Sequence, residues 1–264
     1  MSSLQNENDL RGDLASMTYC VGMLLDTGLV FLSDSRTSAG VDQISTFRKT
    51  FVFQRPGDRV FVIQTAGNLA ITQAAISLLR EQVESPDSKQ NLFTCPNMFE
   101  AAVCVGAALR ETHRRDAVAL KEFGVEFNAN LILGGQIRGE APRLFSIYSA
   151  GNFIESTADT SYFQIGESKY GKPIIDRVIR RSSSLNEAAK AALVSMDSTI
   201  RSNLSVGLPL DLVIVKRDRL EVTRHINIDS ENEYFHGLRD RWSDALREAF
   251  AQLPEPDWLR NPQM

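Results

Sequence analysis

The sequence contains little cysteine and little histidine. Of its 264 residues, 3 are Cys and 3 are His. Cys20, Cys95 and Cys104 are too few and too irregularly spaced for a disulfide framework or a zinc site, so reduced, buried thiols are expected, as in a cytosolic protein. The histidines form no H-E-x-x-H motif, and Gly134-Gly135 lacks the Lys-Ser/Thr of a phosphate-binding loop. We therefore expect neither a metal nor a cofactor.

Long apolar runs and an excess of positive charge are also missing. No segment approaches the roughly 18 apolar residues that span a bilayer, and residues 1–16 have neither the basic start nor the apolar centre of a signal peptide. We therefore expect a cytoplasmic protein without a membrane partner. The 29 Lys and Arg residues face 33 Asp and Glu residues, for a net charge of −4. Because gripping a phosphate backbone needs clustered cations, a nucleic-acid partner is not expected.

Strand-like segments begin abruptly after a polar stretch that ends at residue 17. Residues 18–25 and 28–33 are mostly apolar and β-branched, and the turn sequence D-T-G joins them as a hairpin. Residues 50–54 and 60–65 form a second such pair around R-P-G-D. The first part of the chain after residue 17 is thus predicted to be antiparallel sheet.

Helical spacing then alternates with further strands. Asn68 is a plausible N-cap for the first helix. The remaining predicted segments are helices at residues 97–121, 172–181 and 185–201 and strands at residues 127–137, 143–149, 162–166, 211–215 and 220–228. The helices come in consecutive pairs and do not alternate with every strand, which argues against a doubly wound parallel fold. The order predicts a layered α+β domain.

The C-terminal stretch, residues 231–253, has the pattern of an amphipathic helix that ends before Pro254. Its large apolar residues repeat every three or four positions: Phe235, Leu238, Trp242, Leu246 and Phe250. This stripe predicts either docking on the same subunit or contact with another copy. The expected domains are an N-terminal extension (1–17), a core domain (18–229) and a C-terminal helix and tail (230–264).

Thr18 follows Met17 directly before the first strand. A Thr with a free α-amine carries a nucleophile and a base on one residue, because an α-amine with a pKa near 7.7–8.0 can accept the hydroxyl proton. Antiparallel pairing returns Asp34 towards Thr18, and a Lys49 ammonium held by Asp34 would lower the pKa of that amine. By spacing alone, Asp34 is as well explained as a strand-end residue and Lys49 as a solvated charge.

The motif TYCVGMLLDTGLVFLSDSR, which begins at Thr18, resembles the opening of β-type proteasome subunits, which are N-terminal-nucleophile (Ntn) hydrolases. TYCVG, SDSRTSAGVDQISTFRK, IGESKYGKP and RSNLSVGLPLDL together resemble the Anbu branch, the bacterial ancestral β-subunits. The similarity runs from Thr18 to the C-terminus. It implies a four-layer αββα sandwich of two antiparallel sheets flanked by helix pairs, and a threonine-type endopeptidase without a cofactor.

The resemblance also implies roles for particular residues. Thr18 would be the nucleophile, Asp34 the orienting carboxylate and Lys49 the cation that tunes the amine. The amide of Gly67 would be an oxyanion donor, since a glycine allows close backbone approach to the scissile carbonyl. Supporting catalytic serines fall at Ser168 and Ser205.

Four further positions match substrate-binding residues of the family: Ser38, Phe47, Thr65 and Leu69. Ser38 would pair with the substrate backbone, and the other three would line a mainly apolar specificity pocket. Phe47 and Leu69 are equally well explained as core residues. Two departures are visible: Ser202 stands where many relatives have Asp, and Glu167 replaces a Ser in the usual Gly-Ser-Gly.

Three functions are therefore compared. The first is a threonine peptidase that acts on peptides or unfolded proteins. The second is a non-catalytic subunit of a proteasome-like assembly, and the third is an Ntn amidohydrolase acting on a small amide. Retention of Thr18, Asp34 and Lys49 together favours the peptidase. The resemblance also implies a homo-oligomer, while an ATP-driven unfoldase partner stays unknown.

Overall fold

The protein is described by a computed structural model, which covers residues 18–38, 44–88 and 90–260. The predicted extension at residues 1–17 lies outside the described residues. The chain divides into two compact units, Met1–Ser230 and Glu231–Met264. None of the helices in the described part of the chain is long and apolar enough to cross a membrane.

The first unit contains two five-stranded antiparallel sheets. The first sheet has the order β10-β1-β2-β11-β12, and the second has the order β5-β6-β7-β8-β9. The strands of the first sheet are β1 (Tyr19–Leu25), β2 (Gly28–Asp34), β10 (Tyr162–Gly166), β11 (Leu210–Lys216) and β12 (Arg224–Ile228). Those of the second are β5 (Thr50–Arg55), β6 (Arg59–Gly67), β7 (Ala129–Ile137), β8 (Arg143–Ile147) and β9 (Phe153–Glu155). A separate short hairpin joins β3 (Arg36–Ser38) to β4 (Ile44–Thr46).

Two helix pairs cover the sheets. The helices of the first unit are α1 (Leu69–Glu84), α2 (Met98–Glu122), α3 (Lys172–Val178) and α4 (Leu185–Ser202). Asn68 caps α1, because its side-chain oxygen accepts the amide of Ala70 at 3.0 Å, which confirms the predicted cap. A capping box between Ser184 and Glu187 begins α4.

The core lies in two layers. One apolar cluster joins α1 and α2 to the second sheet through residues such as Ile76, Leu109 and Phe145. Another fills the space between the two sheets, with Phe31 of the first sheet and Val62 of the second among its members. On the far side, α4 packs on β1 and β2. The predicted αββα sandwich is therefore confirmed, and the three cysteines are free and buried, as expected.

Several element boundaries depart from the predictions. The helix predicted for residues 172–181 ends at Val178, and the strand predicted for residues 220–228 begins only at Arg224. Leu220 has a φ of 53°, which belongs to a turn and not to a strand. The short strands β3, β4 and β9 were not predicted, because three-residue strands carry too little alternation to be detected.

The second unit contains α5 (Glu233–Ala251) and the short α6 (Asp257–Arg260). Asn232 caps α5 by accepting the amide of Phe235 at 2.9 Å. Two members of the predicted apolar stripe, Leu246 and Phe250, are 50% and 76% exposed.

Candidate active site

A buried ion pair forms the centre of the site. Asp34 ends β2 and Lys49 directly precedes β5, so the pair joins the first sheet to the second. Lys49 Nζ lies 2.9 Å from Asp34 Oδ1, and the side chains are 5% and 0% exposed. Lys49 also donates to the carbonyl oxygen of Arg36 at 2.6 Å. Lys49 is thus not a solvated charge, and Asp34, although it stands at a strand end as spacing alone would allow, is buried against a cation.

Burial dominates the electrostatics of Asp34. Removal from water raises the pKa of Asp34 from 3.8 to about 6, against the opposing effect of Lys49. The backbone amides of Tyr19 and Gly207 also lower this pKa. Within the described ranges, Oδ2 has no hydrogen-bond partner. Asp34 is consequently held ionised at neutral pH mainly through Oδ1.

Thr18 lies next to this ion pair. The amide of the following residue, Tyr19, donates to Asp34 Oδ1 at 3.0 Å, which is the same oxygen that accepts Lys49. Thr18 is buried, and its carbonyl oxygen accepts the amide of Glu167 at 2.7 Å. Gly166 has a φ of 81°, and a Cβ there would lie 2.0 Å from that carbonyl oxygen. Only glycine therefore allows β10 to approach Thr18 this closely.

Gly67 lies at the end of β6, a strand of the second sheet that contacts β1. The thiol of Cys20 donates to the carbonyl oxygen of Thr65 at 3.6 Å, which links the two strands two residues from Thr18 and two residues from Gly67. Because strand side chains alternate, Thr18 and Cys20 point to the same side of β1. The structure thus places Thr18, directly before β1, and Gly67, at the end of β6, on two strands that contact each other.

A chain of hydrogen bonds connects Thr18 to the segments that contain Ser168 and Ser205. Glu167, whose amide binds the Thr18 carbonyl, directly precedes Ser168. Its carboxylate accepts the side-chain amide of Asn203 at 3.2 Å. Asn203 in turn accepts the amide of Ser205 at 2.9 Å. The Glu167 that replaces the usual Ser therefore joins the Ser168 turn to the Ser205 loop.

The four predicted substrate-binding residues have different surroundings. The backbone of Ser38 pairs with Ile44 in the β3–β4 hairpin. Thr65 is buried, and its amide donates to the Lys49 carbonyl oxygen at 2.9 Å. Leu69 begins α1 and is half-buried. Phe47 is 38% exposed, so it is not a core residue.

Arg36 and Gly207 were missed as functional candidates by sequence reasoning. The Arg36 carbonyl oxygen accepts Lys49, while its guanidinium donates to the Leu204 carbonyl oxygen at 3.2 Å. A Cβ at Gly207 would lie 2.4 Å from Arg36 Cζ, so the guanidinium packs directly on this glycine. Arg36 therefore ties the loop of Ser205 to the ion pair. The sequence feature that could have identified Arg36 as part of the site is its position two residues after Asp34.

Hydroxyl groups and one thiol lie around the ion pair. Among the residues that the structure describes, no group of His, Cys, Asp and Glu could hold a metal ion. Burial raises the pKa of the Cys20 thiol, so this residue stays protonated and is a poor nucleophile. Thr18 also carries a hydroxyl group, and it directly precedes the residue whose amide bonds to Asp34.

Comparison with known proteins places these residues in a family. The model of the family "Proteasome subunit" matches residues 17–215. The structure of an Anbu (Gly-1) mutant from Hyphomicrobium sp. strain MC1 is 54% identical, with a TM-score of 0.85, and the match covers 90% of this chain and 99% of that chain. The helical assembly of the Anbu complex from Pseudomonas aeruginosa is 46% identical over 90% of this chain and 98% of that chain, with a TM-score of 0.86. A proteasome subunit beta from Haloquadratum walsbyi is 24% identical over 85% of this chain and 86% of its own length.

Proposed function

Because the chain belongs to the proteasome subunit family, and within it to the Anbu branch, we propose that it is a threonine peptidase. Its substrates would be peptides or unfolded protein segments. The proposal assigns Thr18 as the nucleophile, Asp34 and Lys49 as the pair that tunes it, and Gly67 as the oxyanion donor. It also assigns residues 1–17 as an extension that must be removed before Thr18 has a free amine.

The observation that carries the proposal is the buried Asp34–Lys49 pair. Asp34 of this pair accepts a hydrogen bond from the amide of Tyr19, the residue that follows Thr18. A positive charge beside an α-amine disfavours protonation of that amine and lowers its pKa. A neutral amine can then take the hydroxyl proton of its own residue. A buried ion pair is costly to maintain for stability alone, so its place beside a nucleophile supports a chemical role.

The reaction would proceed in two steps. Thr18 Oγ attacks the peptide carbonyl carbon while its proton passes to the Thr18 amine. The C–N bond then breaks, the leaving amine takes that proton, and an ester joins Thr18 Oγ to the acyl half of the substrate. A water molecule next attacks the ester, its proton passes through the Thr18 amine to Oγ, and a carboxylic acid is released. The Gly67 amide would stabilise the oxyanion in both steps.

A chain that begins at Thr18 tests the proposal. We expect it to hydrolyse fluorogenic peptides with apolar residues before the cleaved bond and to form an acyl-enzyme visible as a mass increase. The Thr18→Ala variant of the same length should be folded and should show neither hydrolysis nor the adduct. A full-length chain with residues 1–17 attached should be inactive. Hydrolysis by a chain whose mass shows those residues intact would contradict the proposal, and a folded, inactive Thr18 chain would favour the non-catalytic subunit.

We also propose that copies of this chain assemble, with α5 contributing contacts. The Pseudomonas aeruginosa relative is described as a helical assembly, and Leu246 and Phe250 of the apolar stripe are exposed. Light scattering on the full chain should show a multimer, and a chain truncated after Ser230 should show a smaller or weaker one. A full chain that stays monomeric at micromolar concentration would contradict the assembly. An unchanged truncated chain would contradict the part played by α5.

A further inference from the structure

The side chain of Tyr19 is held by two elements, helix α4 and strand β10. Tyr19 is fully buried, and its hydroxyl shares a hydrogen bond of 2.6 Å with Ser195 Oγ on α4. The side-chain amide of Gln164 on β10 donates to the same hydroxyl. Because an amide N–H can only donate, the Tyr19 proton is left for Ser195.

The surroundings leave this hydroxyl little freedom to move. A Cβ at Gly171 would lie 2.3 Å from Ser195 Oγ and 2.6 Å from Tyr19 Oη, so only the bare backbone of a glycine fits against the pair. Burial also raises the pKa of Tyr19, which keeps the phenol neutral and able to donate. Tyr19 is thus fixed by α4, by β10 and by the residue that precedes α3.

The backbone of the same residue contacts the candidate catalytic groups. The Tyr19 amide donates to Asp34 Oδ1 at 3.0 Å, and Lys49 Nζ lies 2.9 Å from that same oxygen. Thr18 is joined to this amide by one peptide bond. A movement of the Tyr19 ring would therefore displace both the nucleophile and a hydrogen bond that lowers the pKa of Asp34.

We propose that Tyr19 is a positioning residue. Its hydroxyl, held by Ser195 and Gln164, fixes the start of β1. The Tyr19 amide then bonds to Asp34, and Thr18 keeps its position relative to Lys49. The kinetic consequence of this role rests on the proposed peptidase function. Its consequence for Asp34 does not, since the carboxyl titrates whether or not the chain hydrolyses peptides.

The Tyr19→Phe variant, made in the chain that begins at Thr18, removes only the hydroxyl. It leaves the buried Ser195 and the half-buried Gln164 without their shared partner, so we expect the start of β1 to loosen. Turnover should fall about tenfold, while KM changes less than about twofold, because the interaction aligns the reacting groups and does not bind substrate. The titration midpoint of Asp34, followed by the 13Cγ shift in NMR, should rise by about half a pH unit.

The charged and titratable groups that face Asp34 stay the same in this variant. They are Lys49, which directly precedes β5, and the thiol of Cys20 on β1. The Gly207 amide, which also acts on Asp34, is unchanged as well. A shift of the Asp34 midpoint would therefore report the Tyr19 amide. Tyr162→Phe is the matched control, because Tyr162 is a tyrosine on β10 that bonds to Asp176 and Lys172 at the surface. This control should leave turnover and the Asp34 midpoint unchanged.

Ser195→Ala is the second variant, in case Tyr19→Phe does not fold. It should lower turnover and raise the Asp34 titration midpoint, each by less than Tyr19→Phe does. The inference is overturned if folded Tyr19→Phe and Ser195→Ala keep the wild-type Asp34 midpoint and turnover. It is also overturned if turnover falls only in proportion to the folded fraction, with the midpoint unchanged. If the wild-type chain hydrolyses nothing, the proposed function fails, and the Asp34 titration alone decides the role of Tyr19.

Discussion

Two Lys–Asp pairs in this molecule have the same length and opposite surroundings. Lys49–Asp34 and Lys172–Asp176 both measure 2.9 Å between nitrogen and oxygen. The first pair is 5% and 0% exposed, whereas the second is 56% and 46% exposed. Separation therefore does not distinguish them, and any difference in behaviour comes from the solvent around them.

The pKa values of the two carboxyl groups, Asp34 and Asp176, are shifted in opposite directions. Burial raises the pKa of Asp34 to about 6, so desolvation outweighs its cation. Hydrogen bonds from Tyr162 and Lys172 lower the pKa of Asp176. The comparison shows that a buried pair is poised to respond to pH near neutrality, while the surface pair stays ionised. Exposed pairs contribute little, and buried pairs are sensitive to the loss of one partner.

The largest expected difference comes from deleting each lysine. Lys49→Ala leaves the Asp34 charge buried and unpaired, so the free energy of unfolding at pH 8 should fall by about 3–5 kcal/mol. Turnover should fall by at least about a hundredfold. Lys172→Ala should change the free energy of unfolding by less than about 1 kcal/mol. Urea unfolding and peptide hydrolysis measure both, and equal losses of stability in the two variants would break the comparison.

Arginine at each lysine position gives the second test. Lys49→Arg keeps the charge, but a planar guanidinium is larger than an ammonium and cannot occupy the same buried site between Asp34 Oδ1 and the Arg36 carbonyl. We expect loss of most turnover. Lys172→Arg should leave stability within about 0.5 kcal/mol of wild type, because its site is open to solvent. Near-normal turnover in Lys49→Arg would show that Lys49 supplies only a general positive charge.

The smallest expected effect is a pH dependence of stability. The pKa of Asp34 is raised in the folded state, so between pH 4 and about 6 the folded chain binds more protons than the unfolded chain. The contribution of Asp34 to stability therefore rises as pH falls. Measured as wild type minus Asp34→Asn, the free energy of unfolding should increase by about 1 kcal/mol from pH 7 to pH 5. A difference that decreases over this interval would mean that Lys49 outweighs burial. The same subtraction with Asp176→Asn should stay flat.

Activity should change in the opposite direction over the same interval. As pH decreases, the logarithm of kcat/KM should first fall with a slope of one against pH, because the Thr18 amine becomes protonated. Below pH about 6 the slope should approach two, because Asp34 becomes protonated as well. A pH–rate profile on the chain that begins at Thr18 measures this. A single slope down to pH 5 would place the pKa of Asp34 well below 6.

Sequence patterns predicted a layered α+β domain, and the family resemblance added the αββα order and the candidate nucleophile Thr18. Turn residues and alternation located the hairpin of β1 and β2, and Asn68 marked the start of α1, because these signals act between residues close in the chain. The motif that begins at Thr18 indicated the family, and with it Asp34 and Lys49. The sequence did not predict the three-residue strand β9, and it placed the start of β12 too early, at Leu220, which lies in a turn.

Only the tertiary structure decided how these residues behave. The contacts that define the site join residues far apart in the chain. They are the hydrogen bond from Tyr19 to Ser195, the packing of Arg36 on Gly207 and the hydrogen bond from Asn203 to Glu167. The burial of Asp34 likewise results from several distant elements. Local spacing carries no information on such contacts, and desolvation depends on every element that packs around a group. The same Lys–Asp pair could therefore be named from the sequence, but its buried character required the two packed sheets.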